Sequence, residues 1–233
     1  MPESSDDFSG PDPKERLLKP ARDIRSILRW GYSKFATIRF VAEHSQLSAG
    51  ERHILTRVIM PPEKVVSRIN KKIACDSISN RDILLDGYNV LLSVDSLLKN
   101  EPMWFCDDGY IRDTRYYFSK ESQAEGIERS LDSVLEFLSG TTPKSVTFLL
   151  DSQISRSGEL AGFIRRKLEE RKIQGGARTS KIVDFDLKTE GGDPEKKLIV
   201  ATSDGIIIDS VLQVLDIPAC LMEKMGIEPV RLY

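Results

Sequence analysis

The sequence predicts an α/β fold, a doubly wound parallel sheet preceded by a small all-α domain, and three observations carry this. From residue 80 onward, short apolar runs alternate with longer amphipathic stretches, the pattern of strands joined by helical crossovers. Before residue 76, apolar positions recur at helical spacing. Charge divides at the same place: Lys14 to Ala74 holds 14 Lys and Arg against Glu15, Asp23, Glu43, Glu51 and Glu63, while the whole chain carries a net −2. The remainder is therefore strongly acidic.

Residues 1–13 are rich in Ser, Asp and Pro, too poor in apolar side chains to offset the entropy of ordering, and read as a flexible tail. Three amphipathic segments follow over roughly 20–30, 33–45 and 49–60. The first opens on Pro20 and closes at Gly31. The second has Ser33 as a candidate N-cap, with Phe35, Ile38, Val41 and Ala42 on one face. The third starts at Ser48-Ala-Gly-Glu51, where the Ser hydroxyl and the Glu carboxylate can satisfy each other's free backbone N–H groups as a capping box, and Pro61-Pro62 stops it. A short helix over about 63–73 leads to a polar hinge, Asp76-Ser-Ile-Ser-Asn80. The hinge divides a basic helical domain (14–76) from an α/β domain (80–233).

Beyond the hinge, Ile83–Leu85, Val146–Leu150, Ile182–Phe185 and Leu198–Ala201 are too short for helices and too continuous for half-exposed strands. They are expected as buried parallel strands, with helices near 120–139, 157–172 and 205–215 between and after them.

A composition of 40% hydrophobic and 30% charged residues excludes a fibrous or mostly disordered chain. No apolar run approaches the roughly 20 residues of a membrane span. The start, Met1-Pro-Glu-Ser-Ser-Asp-Asp, has no basic and apolar leader pattern. Cys75, Cys106 and Cys220 are widely spaced, odd in number and form no CxxC pair, which predicts reduced thiols and a cytoplasmic protein.

Ligands of an open parallel sheet bind outside the carboxyl ends of its strands. Three expected strands end in acid there: Leu85 runs into Asp86-Gly-Tyr-Asn89, Leu150 into Asp151, and Ala201 into Thr-Ser-Asp204. Like charges crowded at one edge are costly unless a cation neutralises them, and Mg²⁺ or Mn²⁺ prefers such oxygen donors. Asp209 and Asp108, on flanking turns, are further candidate metal ligands, with Asp107 and Asp113 near by. The plainer alternative is equally physical: Asp after a strand caps the next helix, and Asp-Gly makes turns.

These residues also carry a resemblance. The Asp86-Gly-Tyr-Asn89 opening after a strand, the apolar strand ending in Asp151 and the Thr202-Ser-Asp204 segment look like the PIN-like nuclease superfamily, particularly its NYN branch. The resemblance implies a Rossmann-like α/β fold over roughly 82–216, with acids that bind Mg²⁺ or Mn²⁺ and an activity that cleaves RNA. It implies Asp86, Asp151 and Asp204 as metal ligands or their neighbours, Asn89 as a phosphate or metal-water contact, and Thr202 as the small hydroxyl before Asp204. The further acidic cluster of that superfamily has a looser counterpart here, Asp184-Phe-Asp186-Leu-Lys-Thr-Glu190. Residues 22–59 and Cys106–Asp113 additionally resemble an uncharacterised prokaryotic family in which a small helical domain precedes a PIN-like part.

The expected activity is thus a Mg²⁺- or Mn²⁺-dependent phosphodiesterase acting on RNA. Asp86, Asp151 and Asp204 would bind metal, and Asn89 would orient substrate. Arg22, Arg25, Arg29, Lys34, Arg39, Arg52 and Arg57 would meet phosphates, with Trp30 or Tyr32 for stacking. Two alternatives stand beside it: a non-catalytic nucleic-acid-binding or regulatory protein, and a small-molecule phosphate enzyme using Ser152–Gly158 as an anion cradle. A homodimer is compatible with all three, and no membrane partner is expected.

Overall fold

The computed structural model describes residues 13–114 and 123–233. The expected tail over 1–13 lies outside the described residues except for Pro13, and so does the start of the helix expected near 120. Four helices come first: α1 (Pro13–Leu28), α2 (Lys34–His44), α3 (Ala49–Val58) and α4 (Pro62–Ile69). The Ser48–Glu51 capping box is formed, with Ser48 Oγ accepting from the Glu51 N–H at 3.2 Å and Glu51 Oε2 accepting from the Ser48 N–H at 2.8 Å. Pro20 lies inside α1 and does not open it.

The α/β part follows as β1 (Asp82–Asp86), α5 (Gly87–Leu98), the hairpin β2 (Trp104–Phe105) and β3 (Ile111–Arg112), and α6 (Gln123–Thr141). Next come β4 (Ser145–Asp151), α7 (Ser157–Glu170), β5 (Gly175–Ser180) and α8 (Val183–Gly191). The chain finishes with β6 (Ile199–Ala201), α9 (Gly205–Ser210), β7 (Val214–Leu215) and α10 (Ile217–Met225). The main sheet is parallel with order β5-β4-β1-β6-β7. The chain leaves β1 toward β4 and β5 and later returns on the other flank with β6 and β7, so direction reverses between β1 and β6. At such a switch the flanking loops diverge and leave a crevice.

Alternation along the strands sorts the core. Ile83, Leu85, Phe148, Leu150, Ile199 and Ala201 face the side packed by α5, α6, α7 and α10. Leu84, Leu149, Val200 and Val214 face Leu187 of α8 and Ile207, Ile208 and Val211 of α9. The core of α1–α3, built on Leu17, Ile24, Ile38, Val41, Leu55 and Val58, closes on Trp104 and Cys106 of the hairpin and on Leu232. Arg25 reinforces that contact, donating to Asp107 Oδ1 at 2.7 Å and to the Leu232 carbonyl at 2.6 Å.

Three of the four expected strands are present; the one over Ile182–Phe185 is not. Those residues open α8, with Ile182 57% and Phe185 62% exposed. The strand lies earlier, at Gly175–Ser180, and Ala177 is its buried side chain. At the sheet edge a strand is covered less completely and needs no continuous apolar run. Its first residue has to be glycine: Gly175 has φ +150°, and a Cβ there would lie 1.9 Å from the Val146 carbonyl oxygen. The helix expected near 205–215 ends at Ser210, and Val214–Leu215 forms the strand β7 instead; the helices α5 and α10 and the β2–β3 hairpin are additional to the expected elements.

The expectation of reduced thiols is corrected for two of the three cysteines. Cys75 and Cys220 form a disulfide spanning 145 residues, tying the hinge to α10, while Cys106 is free and buried. Spacing along the chain carried no sign of this, because the fold brings the pair together. Among the described residues no helix is long and apolar enough to cross a membrane.

Candidate active site

Asp86 ends β1, and Gly87 starts α5 at once. Gly is needed there because a Cβ would meet Leu150 Cδ2 at 2.5 Å and the Leu149 carbonyl at 2.8 Å. This close approach lets α5 turn tightly over β4 and leaves the Asp86 carboxylate at the switch crevice. Across the crevice, the segment after β6 supplies the partners. Thr202 Oγ1 donates to Asp86 Oδ2 at 2.9 Å and accepts from the Asp204 N–H at 3.1 Å. Asn89 Oδ1 accepts from both the N–H and the hydroxyl of Ser203, each at 3.0 Å. The two motifs read in the sequence are therefore laced together directly, Asp86-Gly-Tyr-Asn89 to Thr202-Ser-Asp204.

Electrostatics identify which acids meet. Burial pushes the Asp86 carboxyl up to about 7 against the hydrogen bond from Thr202, and the charges of Asp204 and then Asp184 push the same way. Asp184, in the first turn of α8, belongs to the segment that looked loose in sequence. Asp204 also caps α9, with Oδ1 accepting from the N–H groups of Ile206 at 2.6 Å and Ile207 at 3.3 Å. The capping alternative thus holds for Asp204 without removing its charge from Asp86. Asp151, the third expected ligand, is not among the main charges on Asp86: it stands by Tyr88, whose phenol it raises in addition to the effect of burial, and its Oδ1 accepts from the Gln153 N–H at 2.8 Å in a turn.

Asp108 and Asp209 stand outside this group as candidate ligands, because arginines hold them. Asp108 is fully buried and receives Arg112 Nη1 at 2.7 Å, Arg112 Nη2 at 2.8 Å and Arg68 Nη1 at 2.8 Å. Asp209 receives Arg68 Nε at 2.8 Å and Lys64 Nζ at 2.9 Å. Burial of Asp209 opposes its charge, but these two partners outweigh it and draw the carboxyl down to about 2. Each carboxylate is already neutralised by cations of the protein, which removes the reason to recruit a metal ion. Asp113 accepts from Ser93 Oγ at 2.9 Å. In the Ser152–Gly158 loop, Arg156 adopts φ +63° and pairs with Glu159 at 2.7 Å, and Ser157 is the first residue of α7.

The arginines are the functional residues that sequence reading missed. Arg112 Nε donates to the Ser203 carbonyl at 2.8 Å and Arg68 Nη2 to the Gly205 carbonyl at 3.0 Å, holding the backbone on both sides of Asp204. Gly205 is required by this packing, since a Cβ would lie 2.7 Å from Arg68 Nη2. The four-residue spacing of Asp108 and Arg112 was the one local signal.

Among the described residues no group of three His, Cys, Asp or Glu is arranged to close around a metal ion. The donor chemistry still suits a hard divalent ion with few protein ligands: Asp86, Asp204 and Asp184 are oxygen donors whose mutual repulsion such an ion relieves, and Mg²⁺ keeps several waters. A concavity lined by Arg81, Lys197, Leu198 and Gln213 lies at the opposite, amino edge of the sheet, away from these acids.

Residues 75–220 match a family described as a domain of unknown function (DUF5616), and residues 16–71 match a protein of unknown function (DUF434). An uncharacterized protein of Methanocaldococcus jannaschii is 32% identical over 211 residues, covering 90% of this chain and 98% of that protein. No solved structure matches.

Proposed function

The chain belongs to the DUF5616 family, and from that premise and the site geometry we propose that it is a Mg²⁺- or Mn²⁺-dependent nuclease acting on RNA, with a PIN-like α/β domain. One observation carries the reading: at the switch between β1 and β6, Asp86 meets the charges of Asp204 and Asp184, and Thr202 and Asn89 hold the two strand ends together. Among the described residues, protein cations pair with Asp108 and Asp209 and with none of these three acids, which leaves room for an external one.

Asp86 would hold the ion, with waters filling most of its shell, and the nearby charges of Asp204 and Asp184 would favour its binding. When bound, such an ion lowers the pKa of a water and offsets charge on phosphoryl oxygens. Thr202 orients the Asp86 carboxylate through Oδ2. Without the ion, Asp86 exchanges a proton near neutral pH, because burial and the neighbouring acids raise its pKa to about 7. Asn89 spends its carbonyl oxygen on Ser203; among the described residues its amide NH₂ has no acceptor, leaving two donors for a phosphoryl oxygen. The basic helices would bring the strand to this crevice.

The test is cleavage of labelled single-stranded RNA with Mn²⁺ by the wild type, Asp86→Asn and Asp184→Asn. Both variants should lose most of the rate, at least about a hundredfold. Equal rates for wild type and Asp86→Asn would remove Asp86 from the chemistry. A second reading, RNA binding without cleavage, is favoured by the lack of three convergent carboxylates among the described residues. Retained affinity without metal-dependent hydrolysis would select it.

A further inference from the structure

Where the helical part meets the α/β part, cations outnumber carboxylates. Arg68 and Arg112 close on Asp108, and Arg68 and Lys64 close on Asp209. Lys71 donates to the carbonyls of Ile208 and Asp209, both at 2.8 Å. Lys34, the first residue of α2, is different. Among the described residues its ammonium has no oxygen partner: its hydrogen bond is to Met60 Sδ at 3.3 Å, the sulfur that Arg68 Nη1 also approaches at 3.5 Å. A thioether is a weak acceptor, so a half-buried cation is left with donors to spare. Burial, then Arg112 and then Arg68, push the Lys34 ammonium down to about 8, which still leaves it mostly charged at neutral pH.

The surroundings give this cation a direction. Tyr32 and Phe35, next to it in the chain, are 64% and 77% exposed. Arg68, which shares the Met60 sulfur with it, reaches the Gly205 carbonyl, one residue beyond Asp204. Lys34 is thus flanked in sequence by two exposed rings and connected through Met60 and Arg68 to the loop that carries Asp204.

We infer that Lys34 is the contact residue of a phosphate subsite, which takes a backbone phosphate of single-stranded RNA while Tyr32 and Phe35 stack on adjoining bases. The choice of RNA rests on the nuclease reading above. Arg68 and Arg112 are buried and already paired, so they act on the phosphate through their field, and Lys34 supplies the hydrogen bonds. An acidic peptide would satisfy the same cation but would leave both rings without a partner, whereas alternating bases and phosphates engage both features.

Binding of a labelled single-stranded RNA to the full chain, followed in EDTA over a range of salt, separates this from cleavage. Lys34→Met and Lys34→Gln should weaken binding about tenfold at low salt and lower the slope of log K against log salt by about 0.7, the loss of one phosphate contact. Lys34→Arg should keep the slope, and so should Lys224→Met, a change at an exposed lysine paired with Glu136. Melting of the Lys34→Met and Lys34→Gln chains should be unchanged or higher, since no ion pair is lost. An unchanged slope, no RNA binding by the wild type, or a clear fall in Tm for both variants would overturn the subsite. Displacement of RNA by polyglutamate as effective as by unlabelled RNA would assign the surface to acidic proteins instead. A wild type that binds RNA with a Lys34-dependent slope but cleaves nothing would sink the nuclease reading alone.

Discussion

Arg112 Nε donates to the carbonyl of Ser203 at 2.8 Å, across 91 positions of sequence, so a buried guanidinium of the hairpin holds the residue before Asp204. Arg68 holds the residue after it, and both guanidiniums are anchored on Asp108. The small hairpin and α4 thus brace a loop that belongs to the sheet, which gives the helical part a structural share in the site. Three predictions follow from this arrangement and its neighbours.

Asp108→Asn keeps the shape of the side chain but leaves the buried Arg112 guanidinium without a counter-charge and Arg68 with Asp209 alone. The expected cost is about 3–5 kcal/mol, the range for breaking one side of a buried ion pair. Urea denaturation would read it as a lower midpoint at unchanged slope. A loss under about 1 kcal/mol would mean that water reaches the pair and that the anchor is weaker than its burial implies.

Asp86 gives the site a pH signature in the absence of metal. Its carboxyl lies at about 7 in the folded chain against an ordinary value of 3.8, so the folded state holds the proton more tightly. The stability this confers is complete below about pH 4 and is lost as pH rises through 7. In EDTA, Asp86→Asn should therefore melt above the wild type at pH 8 by about 2–4 °C, the change expected for roughly 1 kcal/mol after screening. At pH 4 the two should melt together. Mn²⁺ should raise the Tm of the wild type at pH 8 and not that of Asp86→Asn.

The Cys75–Cys220 disulfide restrains the unfolded chain over a loop of 145 residues. Cys75→Ser, or a reductant, should cost about 2–4 kcal/mol, and the two treatments should not add. Cys106 is fully buried, and its thiol is pushed up by that burial to about 11, so it should stay unmodified by an alkylating reagent until the chain unfolds. Labelling of one thiol in the native oxidised protein would contradict that placement.

Much of the fold could be read from local pattern. Leu84 and Leu149 with their neighbours announced buried strands, Ser48 and Glu51 announced a helix start, and the residues after Leu85 and Ala201 announced a polar edge, because each depends on side chains within a few positions. The β5 strand was misplaced because an edge strand of Gly, Ala, Arg, Thr and Ser carries little apolar signal. Asp184 was undervalued because its distance from Asp86 is set by how α8 lies over the sheet.

By itself the sequence determined the alternation of strands and helices, the basic character of the first helices and the acids at the strand ends, all properties of neighbouring residues. Tertiary structure decided which charges are already matched. Asp108 and Asp209 look like Asp86 on paper, yet Arg68 and Arg112 reach only the first two. That selection, like the pairing of Cys75 with Cys220, is made by distances in space between residues far apart along the chain, and electrostatic energy depends on those distances and on the burial around them.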